Sequence, residues 1–69
     1  MDVVKRIIEL REKIGISSNK LANMAGIAQS YLRNVELGKT NPTIEMLEYI
    51  CDTLNISIYD FLKKMNQMN

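Results

Sequence analysis

Histidine is absent from this chain of 69 residues, and cysteine occurs once, at Cys51. The first absence removes the commonest metal ligand and the commonest general base at neutral pH. The second leaves no disulfide framework and no thiolate metal cluster. Long apolar runs are missing as well: the longest are a few residues, far short of a membrane span, and Met1-Asp2 does not begin a signal peptide. Nor is there a marked excess of one charge, since nine Lys/Arg stand against eight Asp/Glu, a net of +1. With no nucleophile–base pair and no ligand set, nothing in the chain suggests catalysis. The expectation is a cytoplasmic protein that is not an enzyme, takes no cofactor or metal and touches no membrane. Its length makes it one domain, 1–69 with a core of about 3–65, and no separate effector domain.

Charge is distributed unevenly along the chain. Residues 1–40 carry seven Lys/Arg against four Asp/Glu, a net of +3, and residues 41–69 carry two against four, a net of −2. This is compatible with DNA on one side and a different partner on the other, although charge runs on helices are commonly just solvated faces.

Apolar spacing predicts five helices and no strands. In the first, from about Asp2 to Ile14, Asp2 is the candidate N-cap, and Val3, Ile7, Leu10 and Ile14 recur on one helical face. Gly15 ends it, because a left-handed residue there costs no Cβ clash. Ser17 caps the second helix, whose inward side is Leu21, Ala22 and Ala25, and Gly26 closes it. The third starts at about Gln29 behind the candidate N-cap Ala28, with Ile27 and Leu32 as a hydrophobic staple. An advance of about 100° per residue puts Leu32 and Val35, flanked by Tyr31, on one side. Gln29, Ser30, Arg33, Asn34 and Leu37 fall on the other. Gly38 ends this helix, and Lys39-Thr40-Asn41-Pro42 forms a loop. Thr43 caps a fourth helix with inward Ile44, Leu47, Ile50, Cys51 and Leu54, and Asn55 is its left-handed stop. Ser57 with Asp60 reads as a capping box for a fifth helix, stapled by Ile56 and Phe61. Phe61 and Leu62 point to the core, whereas Met65 and Met68 are either a fraying end or dimer surface.

Two helices joined at Ala25-Gly26-Ile27 have the form of a helix-turn-helix, in which the second helix enters the DNA major groove. The surrounding residues make the pattern specific. Leu10-Arg11, Leu21-Ala22, Ala25-Gly26-Ile27, Ser30-Tyr31-Leu32, Val35-Glu36, Gly38-Lys39, Asn41-Pro42-Thr43 and Leu54-Asn55-Ile56-Ser57 follow one another in order. Together, from Ile7 to Leu62, they resemble the DNA-binding domain of the Cro/CI repressors, also called the xenobiotic-response-element type. That resemblance implies an all-α, compact five-helix domain of the lambda-repressor kind, with the helix-turn-helix formed by helices 2 and 3.

The resemblance also implies roles. Gln29, Ser30, Arg33 and Asn34 occupy base-reading positions, and their chemistry fits, because Gln and Asn can pair with adenine and Arg with guanine. Ser18, Tyr31, Lys39 and Asn41 match positions that grip phosphates, Tyr31 with the alternative of simply packing. Arg11 and Glu36 match an internal ion pair between the first and third helices. Ile56, Ile58, Leu62 and Met65 lie where this family usually dimerises, near the start of the last helix. Two residues depart from the pattern. Ser18 replaces a long amide, and Ala28 replaces a capping Ser or Thr. The function implied is a sequence-specific transcriptional regulator that represses by binding double-stranded DNA as a homodimer, with recognition helix Gln29–Leu37. Alternatives are an antitoxin that also binds a protein toxin, a controller protein of a restriction–modification system, or an interaction module without DNA binding. Contact with polymerase would make it an activator instead.

Overall fold

The computed structural model describes residues 3–66, with side chains through Lys63. They form five α-helices: α1 (Val3–Lys13), α2 (Ser18–Ala25), α3 (Gln29–Glu36), α4 (Ile44–Thr53) and α5 (Ile58–Asn66). The predicted N-cap Asp2 and the side chains of Met65 and Met68 lie outside the described residues.

Three of the helices begin with the cap read from sequence. The hydroxyl of Ser17 accepts from the backbone N–H of Lys20 at 3.0 Å, that of Thr43 from Met46 at 3.1 Å and that of Ser57 from Asp60 at 3.0 Å. Each bond satisfies a donor that the helix start leaves without an intrahelical partner. Ala28 occupies the extended N-cap position of α3 and offers no such bond.

The exits of α1 to α4 share one device. Gly26 adopts φ +74°, its N–H reaches back to the Asn23 carbonyl, and the N–H of Ile27 reaches the Ala22 carbonyl at 3.0 Å. This paired return requires a left-handed residue after the helix. The same two bonds recur behind Gly15, Gly38 and Asn55, the last at φ +58°. The residues that follow are Ile16, Ile27 and Ile56, all packed against the core, and Lys39, which is exposed.

Ile7, Leu21, Ala22, Leu32, Val35, Met46, Leu47, Ile50, Cys51 and Phe61 make the core. α2 packs against α1, α3 and α4, α1 packs on α3, and α5 packs on α4. Ala22 is fully buried, and its small side chain permits close approach of a neighbouring backbone. Two apolar assignments are corrected. Ile14 is 53% exposed although its N–H still bonds the Leu10 carbonyl at 3.3 Å, and beyond the left-handed Gly15 it is Ile16 that packs on the core. Ile44 is 62% exposed and Met46 is buried. On α4 the buried arc is centred between Met46 and Cys51, and Ile44 stands about 90° from its middle.

Candidate nucleic-acid interface

The chemistry of this face begins with how α3 is held. Leu32 and Val35 are fully buried and anchor one side of the helix. At its far end, the guanidinium of Arg11 in α1 donates from Nε and Nη2 to the two carboxylate oxygens of Glu36, at 2.9 and 2.8 Å. The pair is shielded, with 17% and 9% of the two side chains exposed. Arg11 Nη1 also donates to the Ile16 carbonyl at 3.3 Å. The hydrogen bond to Glu36, followed by that carboxylate's charge, holds the arginine above its already high pKa against the opposing effect of burial. A two-pronged guanidinium–carboxylate contact fixes orientation as well as distance.

The opposite side of α3 faces outward. Ser30, Arg33, Asn34 and Leu37 are exposed, and Gln29 is half-buried. Lys39 and Asn41 follow on the exposed connection to α4. At eight residues, α3 is about 12 Å long and, with side chains, about as wide as the major groove admits.

Ser18 and Tyr31, two of the expected phosphate contacts, are only partly exposed. The Ser18 hydroxyl is shielded from solvent and has no hydrogen-bond partner among the described residues. Tyr31 is half-buried and its ring packs against the core.

Two polar residues that sequence reading passed over belong to this face. Asn19 and Asn23 of α2 are exposed, and their amide oxygens accept from Arg33 Nη2 at 3.2 Å and from Gln29 Nε2 at 2.9 Å. Their spacing of four residues puts both on one side of α2, which was the available signal.

The described residues contain no group of His, Cys, Asp or Glu arranged to hold a metal, and no helix long and apolar enough to cross a membrane. Cys51 lies in the core, where burial first and the Asp52 charge second push its thiol above its ordinary pKa and keep it neutral. A neutral, buried thiol is a poor nucleophile.

Residues 7–61 match the helix-turn-helix family model. The chain belongs to the helix-turn-helix family, in its Cro/CI form. It is a DNA-binding domain of that family, which is not a family of enzymes. Over 63 residues it is 35% identical to the HTH-type transcriptional regulator DdrOP3 of Deinococcus deserti, covering 91% of this chain and 49% of that protein. Over 64 residues it is 36% identical to the HTH-type transcriptional regulator SinR of Bacillus subtilis, covering 91% and 58%. The chain thus spans about half the length of these relatives. Its fold is similar to the N-terminal DNA-binding domain of SinR from Bacillus subtilis, with a TM-score of 0.77, 36% identity and coverage of 87% and 88%.

Proposed function

We propose that this Cro/CI-type domain acts in the cytoplasm as a transcriptional repressor, placing α3 in the major groove of an operator. The observation that carries the reading is the exposed face of Gln29, Ser30, Arg33 and Asn34 on a helix buried behind by Leu32 and Val35. A face of two amides, a hydroxyl and a guanidinium has little to recommend it for packing but matches the hydrogen-bonding edges of bases. Lys39 and Asn41 grip the phosphate backbone beside it. The likeness to transcriptional regulators and to the DNA-binding domain of SinR supports the same conclusion.

Two copies bind together. One recognition helix reads only a few base pairs, and half-sites recur at about 34 Å. The domain measures 32 × 25 × 22 Å, a size comparable with that spacing. Ile56, Ile58 and Leu62 are half-buried on their own core and show part of their apolar surface, while Tyr59 beside them is 68% exposed. This region supplies the contact between copies.

Selection of bound sequences from a random duplex pool, at two salt concentrations, tests the proposal. The expected outcome is a palindromic consensus whose binding weakens steeply with salt. Asn34→Ala relaxes preference at particular base pairs, whereas Lys39→Ala weakens all sequences alike and lowers the salt slope by about 1. If both variants weaken binding without altering the consensus, the division into readers and clamps is wrong.

A further inference from the structure

Asn19 and Asn23 stand one turn apart on α2, and Gln29 and Arg33 one turn apart on α3. The pairs meet in opposite order: Asn23 holds Gln29 at 2.9 Å and Asn19 holds Arg33 at 3.2 Å. We propose that Asn19 and Asn23 are positioning residues, which set the side-chain conformations from which Arg33 and Gln29 read bases and so determine part of the sequence specificity. The inference rests on the base-reading role given to Arg33 and Gln29 above.

Counting donors and acceptors shows why these tethers serve reading rather than block it. Gln29 has two amide hydrogens and one carbonyl oxygen. With one hydrogen on Asn23, a hydrogen and the oxygen remain, which are the groups that adenine N7 and N6 require. The Arg33 guanidinium has five N–H groups; one is taken by Asn19, and the remainder suffice for guanine O6 and N7. Arginine has no acceptor, so it also dictates which end of the Asn19 amide faces it.

Long side chains lose rotamer freedom when they are ordered at an interface. A tether made before DNA arrives removes part of that loss at the two positions where reader geometry matters. Both bonds lie at the exposed surface. There a hydrogen bond exchanges with water and adds little to folding stability. Their removal is therefore expected in base preference and not in melting temperature.

The test compares base preference, salt slope and melting temperature for the full chain and for Asn19→Ala, Asn23→Ala, Arg33→Ala, Gln29→Ala and the doubles Asn19→Ala/Arg33→Ala and Asn23→Ala/Gln29→Ala. Asn19→Ala is expected to reduce preference about three- to tenfold at the base pair that Arg33→Ala affects. It has no further effect once Arg33 is gone, and it leaves melting temperature and salt slope unchanged. Asn23→Ala behaves likewise with Gln29. If the reader variants relax their base pairs while the asparagine variants leave the consensus intact, the positioning role is refuted and base reading survives. If the reader variants themselves leave the consensus intact, base reading fails and the positioning role fails with it. A uniform loss across sequences with a shallower salt slope marks the asparagines as phosphate contacts and also overturns the proposal.

Discussion

Arg11 is held at three points, twice by Glu36 and once by the Ile16 carbonyl, while Lys13 two residues later is exposed. A shielded pair loses more than its own attraction when one partner is removed, because the other charge stays behind under cover. Exposed pairs contribute about 0–1 kcal/mol and buried ones cost about 3–5 kcal/mol to break, so this half-shielded pair should cost about 2 kcal/mol. Arg11→Ala is accordingly expected to lower the melting temperature by about 10 °C in a domain of this size. Lys13→Ala should stay within about 0.5 kcal/mol of the parent. Equal melting curves for the two variants would sink the structural role of Arg11. The loss should also loosen α3 at its far end and weaken operator binding.

Among elements, α3 is the proposed recognition helix and the one whose observed N-cap makes no side-chain hydrogen bond. Ala28→Ser supplies an acceptor at an extended position already suited to it, and is expected to stabilise the domain by about 1 kcal/mol. Chemical denaturation should show a higher midpoint with an unchanged slope; an unchanged midpoint would mean that the position cannot present its hydroxyl. The helix limits were legible in sequence because starts and stops have local chemistry. Ser17, Thr43 and Ser57 can reach their own helix, and Gly26 or Asn55 can take positive φ. The fully buried Leu32 and Val35 were legible from the helical period. What could not be read depends on neighbours distant in the chain. Ile44 and Met46 differ in fate because α2 and α5 set the buried arc of α4, not because of hydrophobicity. Asn19 and Asn23 are plain exposed residues until the packing of α2 on α3 brings them to Arg33 and Gln29. The shielding of the Ser18 hydroxyl was likewise not legible, because it depends on what packs around the start of α2.

At the scale of the molecule, the two chemistries lie on different parts of the chain. The proposed readers are gathered on α3, and the exposed aromatic Tyr59 lies on α5. Tyr59 extends from the surface with the Lys63 ammonium 5.6 Å from its ring centre, so its replacement should not disturb the core. Tyr59→Glu is expected to leave the melting temperature near the parent's and to weaken pairing on a palindromic duplex, read by analytical ultracentrifugation of the protein–DNA mixture. A strict monomer in the parent, both free and on that duplex, would defeat the dimer proposal. The exits of the helices bear on how such a domain changes over generations. After α1, α2 and α4 the chain places an isoleucine on the core, but after α3 it places Lys39 in solvent, and Ser30, Arg33 and Asn34 of α3 are exposed as well. Substitutions along this tract can alter what is bound without removing any buried group. Proteins sit only a little above the stability they need, so most drift is limited by folding. If the proposed readers hold, base preference can wander one residue at a time while the fold stays within its margin, which lets one scaffold diverge toward many different sequences.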